Sequence, residues 1–169
     1  MKRLYLLRHA KSSWDDASLP DHERPLAPRG KKAAKAMAGH LRKEGVRPAL
    51  VLCSSSVRTR ETLALIAKVL GEEVPVEVEE GLYGAGAEEL LERLRAVPAG
   101  VASVLLIGHN PAVQELALDL AGGGAERARL EEKFPTGALA TLEFDVETWT
   151  ELEPGRGELV AFVVPRELG

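Results

Sequence analysis

Two of the four histidines stand directly after short apolar runs: Arg8-His9 after Leu4–Leu7, and Gly108-His109 after Val104–Ile107. His22 and His40 do not. A third apolar run, Ala49–Cys53, ends in Ser54-Ser55-Ser56 and leads into Arg58 and Arg60. These residue types suit the handling of an anion. An imidazole supplies a nucleophile, a guanidinium supplies a fork of donors that matches phosphate oxygens, and a helix start favours negative charge. Each piece alone has a plainer explanation. A histidine at a strand end is often just a polar residue leaving the core, and an arginine in a first helical turn is usually solvated and opposes the dipole. Two histidines and an arginine-bearing helix start at one end of one sheet are harder to explain that way.

The surrounding pattern supplies such a sheet. Apolar runs of strand length (4–7, 49–53, 74–78, 104–107) alternate with segments of helical period at 29–44, 57–70 and 87–97. Gly45 and Gly71 stand where two of these helices should stop. Asn110 is a preferred N-cap and Pro111 suits a first helical position, so a further helix is expected from there to about Ala121, where Gly122-Gly123-Gly124 breaks the chain. The tail, with strands expected at 138–144 and 158–164, reads as a pair joined by a long turn with no helix between. The expected fold is α/β, a three-layer sandwich with a mostly parallel central sheet flanked by helices. In such sheets ligands bind beyond the carboxyl ends of the strands. If runs 4–7 and 104–107 are neighbours, about 4.8 Å apart, both imidazoles can face one cleft.

At 169 residues the chain is expected to form a single domain, 1–169. One cysteine, Cys53, allows no internal disulfide. The first apolar run is too short for a secretory signal, and no stretch is long enough to span a bilayer, so a cytoplasmic protein without membrane partners is expected. The net charge of −4 argues against nucleic acid as a partner and requires any anionic substrate to be drawn in by local positive charge. No His-Glu-x-x-His, cysteine pair or Asp-rich loop offers metal ligands, and no cofactor is expected.

Leu6-Leu7-Arg8-His9-Ala10-Lys11 resembles the Arg-His-Gly/Ala signature of the histidine phosphatase, or phosphoglycerate-mutase-like, superfamily. Extended through Ser12-Ser13-Trp14, it resembles the SixA-type phosphohistidine phosphatase branch. Further segments match in order: Glu23–Leu26 with Arg29-Gly30, Ser55–Thr62, Leu82-Tyr83, Gly108–Pro111 and Phe134–Ala138. The resemblance covers essentially the whole chain. It implies a phosphoglycerate-mutase-like fold and phosphoryl transfer in which His9 is the nucleophile, while Arg8, Arg58 and His109 hold the phosphoryl oxygens. The family's Arg-x-x-Gln/Arg-Thr pattern selects Arg58, four residues before Thr62, with Arg60 close enough to share the role. Lys11, Ser12 and Asn110 fall within matched segments as substrate-binding candidates. Glu80, four residues before Gly84, stands at the spacing of the mutase general acid, though its surroundings differ and a solvated loop carboxylate is the competing reading.

Rival chemistries fit less well. Cysteine phosphatases need Cys-x5-Arg, whereas Arg58 lies five and Arg60 seven residues after Cys53. Gly84–Glu89 lacks the third glycine of a dinucleotide loop. A phosphotransfer protein would carry its histidine on an exposed helix and would not need a second histidine with arginines. The chain has little room for the insertions that cap a mutase site. A phosphohistidine-containing protein is therefore the expected substrate, with a small phosphomonoester as the alternative.

Overall fold

The computed structural model describes residues Met1–Leu168. Six strands form one sheet: β1 (Lys2–Arg8), β2 (Leu50–Ser54), β3 (Val76–Glu79), β4 (Ser103–Gly108), β5 (Leu139–Phe144) and β6 (Glu158–Val163). Their spatial order is β3-β2-β4-β1-β5-β6. The first four are parallel, whereas β5 runs antiparallel to both β1 and β6. The expected α/β sandwich with a mostly parallel sheet is what the chain forms, and the tail pair closes its edge.

Parallel strands covered on both faces read as continuous apolar runs. Accordingly β1, β2 and β4 carry the fully buried Leu4, Leu6, Val51, Leu52 and Val104–Ile107. One cluster beneath the sheet gathers Leu90, Leu94, Val113, Leu116, Phe134, Phe144 and Trp149. The other gathers Met37, Leu41, Ile66 and Leu70 from α1 (Pro28–Lys43) and α2 (Val57–Leu70). α1 ends as a Schellman turn: Gly45 takes φ 65° and donates to the Arg42 carbonyl, while Val46 donates to that of Leu41. The helix α3 covers Ala87–Arg95.

Two differences from the sequence reading are informative. The helix after β4, α4, spans Ala112–Leu120, so Pro111 is its cap residue rather than its first turn. Asn110 still serves this end, its Oδ1 accepting from the Gln114 backbone N–H at 3.3 Å. A further helix, α5 (Ala125–Glu132), follows the triple glycine and has no counterpart in the sequence reading. It is rich in Glu and Arg and buries only Leu130, so it lacks the apolar stripe that marks a helix in sequence.

Candidate active site

β1 and β4 are hydrogen-bonded neighbours in register, Arg8 opposite Gly108, so His9 and His109 leave the sheet side by side. Their ring centroids lie 5.3 Å apart, tilted by 53°. The His9 Nδ1 stands 2.7 Å from the Ala10 carbonyl. A carbonyl can only accept, so Nδ1 carries the ring proton and Nε2 keeps its lone pair. Burial, and then the neighbouring His109, Arg58 and Arg8, push the His9 pKa down to about 3, against the Ala10 bond that raises it. The ring is therefore neutral at pH 7.

His109 is held by Ser54 at the end of β2, Oγ to Nε2 at 2.7 Å. Burial and the charge of Arg58 lower its pKa to about 4, although Asp21 opposes them. The Ser54 hydroxyl is able to donate to this nitrogen or accept from it; when it donates, the proton of the neutral ring sits on Nδ1.

α2 brings Arg58. Ser56 caps this helix, its Oγ accepting from the Thr59 N–H at 3.3 Å. One turn later Thr62 Oγ1 accepts from Ala10 N–H at 3.0 Å and donates to the Arg58 carbonyl at 2.7 Å. A single buried hydroxyl thus ties the His9 loop to the Arg58 turn, which gives the Arg58-to-Thr62 spacing a physical reason. The same loop is pinned from two other sides. Gly137 (φ 76°) donates to the carbonyls of both Arg8 and His9, and Ala27 at the start of α1 donates to that of Lys11 at 2.9 Å.

Arg58 is oriented by Asp21, which sits in a 3-10 turn (Asp21–Glu23) and is not among the site residues expected from the sequence. Arg58 Nη2 donates to Asp21 Oδ2 at 2.9 Å and Nη1 to its backbone carbonyl at 2.7 Å. The same carboxylate accepts from the Tyr83 hydroxyl and, at 3.2 Å, from Arg24 Nε. The Tyr83 bond, with Arg58 and Arg24, holds the Asp21 pKa down at about 2. Tyr83 packs edge-on against both His22 and His109, at 4.7 and 5.5 Å.

Arg8 Nη1 donates to the Phe134 carbonyl at 2.8 Å, and Asn110 Nδ2 reaches the same oxygen at 3.2 Å. Arg8 Nε, Arg58 Nε and His109 Nδ1 are buried nitrogens with no hydrogen-bond partner among the described residues. Leaving one buried donor unmet costs about 1–3 kcal/mol, so three on residues surrounding one imidazole call for a ligand rich in acceptors.

The remaining sequence candidates stand apart from this group in different degrees. Ser12 is half-buried, its Oγ accepting from Arg24 Nη1 at 2.9 Å. Lys11 is exposed beside the loop. Arg60 is exposed and spends its Nε on the Ser55 carbonyl. Glu80 is exposed, and its carboxylate joins none of these residues by a hydrogen bond or ion pair among the described residues. Trp14 is 74% exposed and lies under the Arg24 guanidinium, 3.5 Å from the ring centroid. Cys53 is buried, which pushes its thiol up to about 12. Among the described residues no three or more His, Cys, Asp or Glu side chains group as a metal ion would require.

The model of the histidine phosphatase superfamily (branch 1) matches residues 4–85, the stretch from β1 to the turn after Tyr83. Phosphohistidine phosphatase SixA of Escherichia coli is 32% identical over 145 residues, spanning 85% of this chain and 86% of that protein. The chain belongs to the histidine phosphatase superfamily. An uncharacterized protein of Mycobacterium tuberculosis is 40% identical over 164 residues, covering 95% of this chain and 100% of its own. A solved structure of the protein histidine phosphatase SixA complexed with tungstate superposes with a TM-score of 0.81, at 28% identity over 99% of both chains. Together these likenesses support a phosphatase, and its SixA-like fold puts the histidines of β1 and β4 at the carboxyl end of the sheet. No helix among the described residues is long and apolar enough to cross a membrane.

Proposed function

We propose that this histidine phosphatase removes phosphoryl groups from histidine side chains of a phosphoprotein through a phosphorylated His9. The observation that carries the proposal is the set of buried, unpartnered nitrogens on Arg8, Arg58 and His109 around a neutral imidazole whose Nε2 is unprotonated. In this reading the Nε2 lone pair of His9 forms a bond to phosphorus as the substrate's P–N bond breaks. The electron pair of that bond stays on the leaving imidazole, which takes a proton from solvent. Water then attacks the phosphorus of phospho-His9, the P–Nε2 bond breaks, and inorganic phosphate leaves. Phosphoryl transfer passes through a loose transition state with charge spread over the equatorial oxygens, so catalysis is mainly positioning and charge stabilisation. Arg8, Arg58 and the Nδ1–H of His109 would supply that, helped by the N-terminus of α2.

Three observations support a histidine-borne rather than an ester-borne phosphoryl group. Related proteins bear the name phosphohistidine phosphatase. A phosphoramidate nitrogen is protonated easily as it leaves, so the reaction makes little demand on a general acid. Glu80, the candidate acid, is exposed and unattached to the site, while Asp21 with its pKa near 2 is a poor proton donor. No metal or cofactor enters this chemistry, and a cytoplasmic, single-domain enzyme remains part of the reading. The test compares phosphate release from a phosphohistidine protein and from an aryl phosphate, using wild type and His9→Ala. Preference for the phosphohistidine protein, lost in the variant, is expected. Turnover of the aryl phosphate alone would move the substrate class to small phosphomonoesters.

A further inference from the structure

Beside the His9 loop a cleft of about 640 Å³ opens between α1, the segment 132–136 and the end of β6. Its place relative to the nucleophile follows from strand register. Leu7 pairs with Leu139, and Leu139 with Val163, so the ends of β1 and β6 lie two strand spacings apart, roughly 10 Å. Both strands run the same way, so the cleft and His9 share the carboxyl end of the sheet. Pro135 and Thr136 line the cleft, and the next residue, Gly137, donates to the His9 carbonyl at 2.9 Å. The 135–137 segment and Lys11 thus border both the His9 loop and the cleft, so a protein docked over His9 would also cover this cleft.

The lining combines two chemistries. Ala33, Ala36, Phe162 and Val164 give an apolar floor, while Lys11, Arg29, Lys32, Lys133 and Arg166 are exposed along the rim. None of these five cations makes an ion pair among the described residues. The one further lining cation, Arg129, is neutralised by Glu126 and Glu167 and sits 5.3 Å over the Phe162 ring, which makes it part of the wall. Among the described residues, Glu132 is the one acidic residue of the lining. In a chain of net charge −4, this is a local excess of positive charge over an apolar floor.

We propose that this cleft docks an acidic segment of the phosphoprotein substrate, with one apolar side chain of that segment on the Phe162–Val164 floor. The inference rests on the phosphoprotein reading above and adds the surface that selects among such proteins. The rim charges come from four separate parts of the chain, the His9 loop, α1, the 132–136 segment and the chain after β6. The floor offers an apolar side chain a place that a polynucleotide backbone would leave unfilled. Rim charges of this kind act mainly on encounter and selection of partner.

The test uses two synthetic phosphohistidine peptides that share one leucine, one flanked by glutamates and the other by glutamines. The enzymes are wild type and the double variant Lys32→Glu, Arg166→Glu, both positions exposed and outside the residues around His9. Wild type is expected to favour the glutamate peptide about tenfold in kcat/KM, mainly through KM, with the preference shrinking as salt rises. The double variant should lose the preference while its turnover of an aryl phosphate stays unchanged. Equal turnover of both peptides by wild type, or a preference that survives in the variant, overturns the proposal. If neither phosphohistidine peptide is hydrolysed but the aryl phosphate is, the phosphohistidine reading fails on its own. The same pair built on phosphoserine then decides the docking surface: a glutamate preference lost in the variant supports it, and any other result overturns it.

Discussion

Gly30, in the first turn of α1, lets the backbone of the His9 loop approach closely at Lys11, and this sets a sharp prediction for Gly30→Ala. A β-carbon at Gly30 would lie 2.0 Å from the Lys11 carbonyl oxygen, where ordinary contact begins at 3.4 Å. The obstruction is backbone, so no side-chain rotamer relieves it. The loop or α1 must move by about 1.4 Å, the difference of those two distances. That movement would break the Ala27-to-Lys11 hydrogen bond. Overpacking of this kind costs about 1–3 kcal/mol. Losing the bond costs about 1 more. Against this, alanine in a helix is favoured over glycine by about 1 kcal/mol. The net expectation is a loss of about 1–3 kcal/mol, seen as a lower midpoint in denaturant with an unchanged slope. Because Lys11 is two residues from His9, turnover should fall further than stability, by about a hundredfold for a displacement near 1 Å. Gly39→Ala is the control on the same helix. A β-carbon there meets nothing within 4 Å, so that variant should gain about 0.5–1 kcal/mol and keep full activity. A Gly30→Ala protein with wild-type stability and turnover would refute the packing argument for the loop.

Other outcomes follow from the same geometry. Asp21→Asn should cut kcat/KM by about one to two orders of magnitude, because Arg58 loses the carboxylate that orients it. Glu80→Gln, by contrast, should leave phosphohistidine turnover essentially unchanged, and a large loss would restore a proton-donor role to that exposed residue. Thr62→Val should destabilise by about 1–3 kcal/mol in chemical unfolding, since the buried Ala10 N–H loses its acceptor. The pH dependence of stability has a defined sign. His9 and His109 titrate near 3 and 4 in the folded chain against an ordinary 6.5, so the unfolded chain binds more protons between those values. Their contribution is full above about 6.5 and is lost as pH falls through 4 towards 3. Replacing both by Asn should flatten that part of the curve, and an unaltered slope would contradict the burial argument.

Much of this arrangement was legible in the sequence, because fully buried parallel strands advertise themselves as apolar runs and their ends mark the site. β1, β2 and β4 are readable that way, together with the histidines that follow two of them. Arg58 needed more than pattern. Its helix start was readable, but its choice over Arg60 came from family resemblance, and the Thr62 hydroxyl linking Ala10 to Arg58 appears only in three dimensions. Asp21 has no sequence signal, since Pro20-Asp21-His22-Glu23 has no periodicity and its partners Arg58 and Tyr83 lie 37 and 62 residues away. Ser54 had a faint one, a polar residue closing an apolar strand, which could have been read as a contact for a strand-end histidine. α5 escaped because a helix that buries one leucine leaves no stripe to detect.

The central claim is that His9 itself carries the phosphoryl group, and trapping that species tests it most directly. Enzyme mixed with excess phosphohistidine protein would be quenched in alkali, where phosphohistidine survives, then digested and mapped by mass spectrometry. The account predicts one phosphoryl group on the peptide bearing His9, removed by acid and absent from His9→Ala. Phosphate release by a fully active wild type with no such adduct under rapid quench, or undiminished turnover by His9→Ala, would contradict it.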